Sequence, residues 1–144
     1  MPGPQPGAGL TAGGRGTVSM VVTEADTAAA AGSGDVPVLA TPRLLALAEA
    51  ATVAAIARHL ADGQTSVGTA VRLEHRRATP VGARVTADAE LTSVDGSRLT
   101  FSVTARHAVG SADAEPGDVI ATGTVERAVV DRARFLARVS RQLG

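Results

Sequence analysis

Leu44 to Ala57 reads LLALAEAATVAAIA, and the shape of the molecule turns on how these fourteen residues are read. Leu, Ala, Val and Ile fill every position except Glu49 and Thr52. Strong helix formers dominate the run, and Thr41-Pro42 just ahead of it supplies an N-cap followed by proline at the first helical position. Gly63 is a natural residue to follow a helix C-terminus, so the sequence predicts a helix from about Pro42 to Asp62. Glu49 shares a stripe of that helix with Leu45, Thr52 and Ile56. A carboxylate there is costly to bury unless it is paired or used, and a wet flank of the helix is the competing explanation.

Working outward, the flanking sequence is rich in strands. Thr17–Thr23 is β-branched and bounded by glycine, and reads as a strand. Glu24–Val38, with its small-residue patch AAAAGSGDVP, reads as a loop. Thr65–Arg76 alternates, with Val67, Thr69, Val71, Leu73 and His75 on one face. Arg84–Val94 and Arg98–Ala108 alternate around Asp95-Gly96, a strong hairpin signal. Val119–Val130 is the last strand, and Asp131 caps a short terminal helix with Phe135, Leu136, Val139 and Leu143 on its apolar side. One long helix and one largely antiparallel sheet make an α+β architecture. The helix is apolar nearly all round, so the sheet has to curl about it, which is the hot-dog arrangement.

Length and composition bound the function. The 144 residues fit one domain. Residues 1–16 are rich in Gly and Pro and lack the apolar core of a secretory signal. They are expected to form a disordered tail ahead of a single domain at 17–144. Formal charge is zero and aromatic content is 1%, which argues against a nucleic-acid partner. Cysteine is absent, which removes disulfides, thiolate nucleophiles and cysteine zinc sites. Three scattered histidines give no metal motif, so neither a metal nor another cofactor is expected. Pro37, Thr41, Pro42, Arg43 and Glu49 interrupt the one candidate membrane span. No membrane partner is expected, and the cytoplasm is the expected location.

Two further positions can carry chemistry beside Glu49. His75 continues the inward register of Val71 and Leu73, so it should face the helix; a core histidine satisfied by a backbone carbonyl is the alternative. Acid and imidazole on facing elements can form an orienter–base pair. Thr41 is an ordinary N-cap on its own, but a hydroxyl at a helix N-terminus also stands where an oxyanion is stabilised. Gly68 inside a strand reads as a bulge or a close backbone approach, with simple packing against the helix as the alternative. His59 and His107 sit near element ends and read as solvated.

The stretches VLATPRLLALAEAA and TSVGTAVRLEHRRATPVG, followed by the DG hairpin, resemble the fluoroacetyl-CoA thioesterase-like family of hot-dog proteins. The resemblance covers roughly Thr17 to Val130. In that family a threonine at the helix start, a glutamate eight residues on and a histidine twenty-six beyond it form the catalytic set. Thr41, Glu49 and His75 stand at those spacings, and Gly68 matches a glycine lining the site. The resemblance implies an acyl-CoA thioesterase acting as a homodimer with sites at the subunit interface, with Thr41 or Glu49 as nucleophile. It implies acyl contacts from Val36, Val38 and Leu39. Members selective for fluoroacetyl groups carry lid phenylalanines ahead of the helix. Here GSGDVPVLA has none, so a different short or medium acyl group is expected. Arg76 and Arg77, with Arg72 and Arg84, form a basic cluster suited to coenzyme A phosphates or to a solvated sheet face. A non-catalytic hot-dog module that binds acyl-CoA is the alternative function. A hydratase is disfavoured because no local Asp–His pair is present.

Overall fold

The computed structural model describes residues 10–110 and 117–143. Five strands, β1 (Arg15–Val21), β2 (Gln64–His75), β3 (Arg84–Asp95), β4 (Arg98–Ala108) and β5 (Asp118–Asp131), form one antiparallel sheet in the order β1-β3-β4-β5-β2. Between β1 and β2 run a 3-10 turn (Glu24–Asp26), a single helical turn α1 (Ala28–Ala31) and the long helix α2 (Thr41–Ile56). The terminal helix α3 spans Arg132–Arg141. This is the expected hot-dog arrangement. The β3–β4 turn falls on Asp95-Gly96, where Gly96 has φ 61°, the left-handed geometry such a turn needs.

The core lies between α2 and the concave face of the sheet. Leu44, Leu47, Ala48, Ala51, Thr52, Ala55 and Ile56 are buried on α2. Facing them are Val85, Ala87, Ala89 and Leu91 of β3, and Leu99, Phe101, Val103 and Ala105 of β4, the inward sets that alternation predicts. Burial of this apolar surface is the main stabilising term, on the order of 25 cal/mol per Å². Strand β1 comes closest to the helix at Gly16. A Cβ there would run into the Ala51 carbonyl and the Ala55 amide nitrogen and lie 2.9 Å from the Ala55 Cα.

Several boundaries differ from the sequence reading. The α-helix starts at Thr41, with Ala40 as N-cap. It stops at Ile56 and tightens into a 3-10 turn over Ala57–His59, because Ile56 is the last helical residue buried against the sheet. The AAAA patch, read as loop, makes one helical turn because Thr27 Oγ1 accepts from the Ala30 N–H at 3.2 Å and Gly32 takes a left-handed cap at φ 73°. Of the expected tail, residues 1–9 lie outside the described residues, while residues 10–16 are built onto the domain. Leu10 is buried in the core, the Gly13 N–H donates to the Leu91 carbonyl, and β1 begins at Arg15. An apolar side chain and free strand-edge groups are enough to dock this segment. No helix among the described residues is long and apolar enough to cross a membrane.

Strand β2 sits at one edge of the sheet and carries a register shift between Gly68 and Ala70, so Thr69 is an extra residue. The bulge splits the face predicted to point inward. Leu73 packs on the core and His75 reaches the start of α2, but ahead of the bulge Ser66 and Gly68 face the helix instead of Val67 and Thr69.

Gly16→Ala should destabilise the fold by about 1–3 kcal/mol, through overpacking against helix backbone that cannot rotate away. Gly14→Ala, whose Cβ would meet nothing nearer than 3.7 Å, serves as the control. Urea midpoints that fall equally for both variants would remove the close approach as the cause.

Candidate active site

Two polar clusters occupy the flank of α2 that meets β2. The first stands at the start of the helix. Thr41 is its first residue and is followed by proline, so the hydroxyl projects beside N–H groups that have no intrahelical partner. It makes no capping bond. Instead Thr41 Oγ1 lies 2.8 Å from His75 Nδ1 on the last residue of β2. The segment ahead of it is tied down by Asp26, which accepts from the Thr23 N–H at 2.8 Å and from Arg43 Nε at 3.0 Å. Burial acts to raise the Asp26 pKa, but these bonds outweigh it and hold the carboxyl below its ordinary value.

The His75 pKa lies below the ordinary 6.5, chiefly because burial disfavours the charged ring, with the Arg77 backbone acting in the opposite sense. A neutral ring has one donor and one acceptor nitrogen, and the contact pairs Nδ1 with the Thr41 hydroxyl in the sense that the tautomer sets. The other nitrogen, Nε2, is buried and has no hydrogen-bond partner among the described residues. The pair opens into a cleft of about 240 Å³ whose walls include Val38, Leu39, Ser33 and the chain from Arg76 to Ala78.

The second cluster lies two turns further along the helix, about 12 Å at 1.5 Å per residue. Glu49 Oε2 is 3.4 Å from Arg127 Nη1 of β5. Arg127 is itself 7% exposed and is fixed by two further bonds, Nε to Ser66 Oγ at 2.9 Å and Nη2 to the Ser66 carbonyl at 3.1 Å. Gly68 completes the cluster, since a Cβ there would sit 2.7 Å from Glu49 Oε2. Desolvation lowers the Arg127 pKa and the Glu49 charge opposes that shift; the guanidinium keeps its proton either way. Glu49 retains a side-chain exposure of 35%, so one side of the carboxylate is open.

The structure therefore brings Thr41 to His75 and Glu49 to Gly68, but it does not join the two pairs within one chain. Glu49 has no hydrogen bond to Thr41 or His75 among the described residues, so the expected acid–imidazole contact is absent inside the chain. Val38 and Leu39 line the cleft, whereas Val36 is 50% exposed and lies away from it. Arg76 and Arg77 also line it, Arg76 Nη2 reaching Glu74 at 2.8 Å and Arg77 Nη1 pairing with Asp118 at 2.5 Å. His107, read as solvated, instead lies 2.8 Å from the hydroxyl of the buried Thr79, whose carbonyl holds Leu39 in place. Sequence reasoning missed Arg127 and Ser66. Val125, Arg127 and Val129 alternate on the buried face of β5, so the test that singled out Glu49, a charge on an apolar stripe, also finds Arg127.

Comparison with known proteins bears on this arrangement. The family model of the fluoroacetyl-CoA-specific thioesterase matches residues 22–133. The fluoroacetyl-CoA thioesterase of Streptantibioticus cattleyicolor is 43% identical over 102 residues, spanning 71% of this chain and 68% of that protein. A variant of the fluoroacetyl-CoA-specific thioesterase crystallised with fluoroacetate and CoA superposes with a TM-score of 0.76 at 36% identity, covering 88% of this chain and 99% of that one. A Thermus thermophilus protein described as a thioesterase superfamily member gives 0.83 at 26% identity, with 94% of each chain covered.

Proton NMR should place the His75 titration midpoint below 6.5. An unfolded histidine binds its proton more tightly than this buried one, so stability should rise as the pH increases through the region below 6.5. A midpoint above 7, or a urea midpoint that falls over that interval, contradicts a ring held neutral by burial.

Proposed function

The chain belongs to the fluoroacetyl-CoA-specific thioesterase family, and from that premise we propose that it hydrolyses acyl-CoA thioesters carrying a short or medium acyl group. The observation that carries the chemistry is the 2.8 Å contact between Thr41 Oγ1 and a neutral His75 at the N-terminus of α2. His75 Nδ1 takes the Thr41 proton while Oγ1 attacks the thioester carbonyl. The tetrahedral oxyanion forms beside the positive end of the helix. The C–S bond then breaks, and the thiolate leaves with the proton returned by the imidazolium. Glu49, held by Arg127 with one side open, removes a proton from the water that attacks the resulting Thr41 ester; the acyl–Oγ1 bond then breaks to release the acid, and the proton passes from Glu49 to Oγ1. Gly68 leaves room for the carboxylate, and Val38 and Leu39 flank the acyl group. Arg76 and Arg77 exchange their carboxylate partners for coenzyme A phosphates at the cleft mouth.

Glu49 has to reach a Thr41–His75 pair, and a homodimer supplies one. The outer edge of β2 is unpaired in the sheet, and Val71 on it is 47% exposed, a template for a second strand. Two copies of β2 paired antiparallel about a twofold axis near Val71 and Arg72 set Gly68 of one copy opposite His75 of the other. Both strands keep their concave faces on one side of the joined sheet. Each Glu49 then stands beside the Thr41–His75 pair of its neighbour, which makes two composite sites.

Glu49→Gln and His75→Ala should each lower thiol release from the best acyl-CoA by at least about a hundredfold while leaving the thermal transition in place. Glu49→Gln should also accumulate an acyl group on Thr41, detected by mass spectrometry. A wide acyl-CoA panel with no thiol release, or an adduct on another residue, would overturn the scheme.

Composite sites make a second prediction. Unfolding and refolding a mixture of the two inactive variants should restore about a quarter of wild-type activity, because half the dimers are mixed and each mixed dimer has one intact site. Recovery of none would mean that both residues act from the same chain.

A further inference from the structure

Helix α3 takes no part in the site, and its surface is divided into a basic and an apolar face. Arg134, Arg138 and Arg141 follow one another at spacings of four and three, which places them on one face. Leu136, Val139 and Leu143 follow at spacings of three and four on the opposite face. The bond from the Leu143 N–H to the Ser140 carbonyl winds the final turn so that Leu143 stays in line. These three side chains are 54%, 43% and 89% exposed. Phe135 instead turns toward β5 and, with Arg134 and Arg138, lines a cleft of about 290 Å³ against Val129 and Ser97. The helix is therefore anchored through one flank while its leucine–valine stripe stands clear.

The charge is as unevenly divided. Fourteen arginines balance fourteen acids over the chain, yet α3 carries four arginines and no acid, leaving ten arginines against fourteen acids elsewhere. Arg15, Arg43, Arg72, Arg76, Arg77 and Arg127 all form ion pairs, but among the described residues none of the α3 arginines does. A second copy of this helix, packed stripe to stripe, would cover the apolar side chains but leave the arginines on the far face without a counter-charge, so it meets only half of what the surface presents. The occupant has to offer apolar depth to three side chains and negative charge to four guanidinium groups. A bilayer surface containing anionic lipid offers both in one plane, and an amphipathic basic helix lies in that plane without crossing it.

We propose that α3 docks the protein peripherally on anionic phospholipid surfaces, with Leu136, Val139 and Leu143 entering the headgroup boundary and the arginines meeting lipid phosphates. This surface is independent of the thioester chemistry. It needs no membrane-spanning helix, of which there is none among the described residues, because a helix that lies on a bilayer need not be long or wholly apolar.

Flotation of the full chain with vesicles tests it. The protein should rise with vesicles of phosphatidylglycerol and phosphatidylcholine at low salt, remain behind with phosphatidylcholine alone, and be released by high salt. The double substitution Leu136→Ser, Val139→Ser and, separately, Arg134→Glu with Arg138→Glu should each reduce the bound fraction roughly tenfold. Circular dichroism and thiol release from acyl-CoA in free solution should be unchanged in both. Failure to float with the anionic vesicles, flotation that neither variant weakens, or a change in oligomeric state caused by the apolar variant would overturn the proposal. The last outcome would assign the stripe to contact between copies of the chain.

Discussion

The apolar surface of α2 exceeds what one sheet layer can cover. Leu44, Leu47, Ala48, Ala51, Ala55 and Ile56 find the concave face of the sheet, and Gly16 lets β1 press directly on the helix backbone. The flank toward β2 is the one left partly open, with Val53 45% exposed and Glu49 still in contact with solvent. Because β2 is an edge strand interrupted by a bulge, it covers that flank incompletely. Polar groups that would be prohibitive deeper in the core become tolerable here, since each has a partner or a path to water. The candidate site exists where the wrapping of the helix runs out.

The two polar clusters are tuned differently. At the helix start, burial keeps the His75 ring neutral and the hydroxyl of Thr41 gives its Nδ1 a partner. Two turns on, burial falls on Arg127, whose guanidinium stays cationic and is immobilised by Ser66, and this fixes where the Glu49 carboxylate rests. One cluster thus supplies an uncharged acceptor for a proton and the other a located negative charge. Reactions that need a base and a separately held carboxylate can use both, provided that they meet across an interface. The unpaired edge of β2 offers that meeting.

How much of this was legible in the sequence depended on the kind of signal. Alternation predicted the inward faces of β3 and β4 because a two-residue period survives unless something inserts into it. It failed along β2, where Thr69 inserts and exchanges Val67 for Ser66 and Gly68 on the helix side. Threonine before proline has the local preference of an N-cap, which competes with the reading of Thr41 as a functional hydroxyl. A histidine thirty-four residues away claimed the hydroxyl instead, and Ala40 became the cap. Arg127 is less conspicuous than Glu49 because it stands in a strand with other polar residues, although Val125 and Val129 flank it on the buried face.

The sequence by itself determined the elements and the chemical inventory. Local propensity placed the helix and most strand boundaries; stripe, register and capping patterns marked Glu49, His75, Thr41 and Gly68 one by one, and the family resemblance joined them into a set. Which of these touch was decided by tertiary structure alone. Contacts between α2, β2 and β5 depend on strand order, on a one-residue bulge and on how far the sheet curls, none of which short-range pattern encodes. The physical reason is that these are balances of burial between distant segments, so Glu49 went to Arg127 and His75 to Thr41.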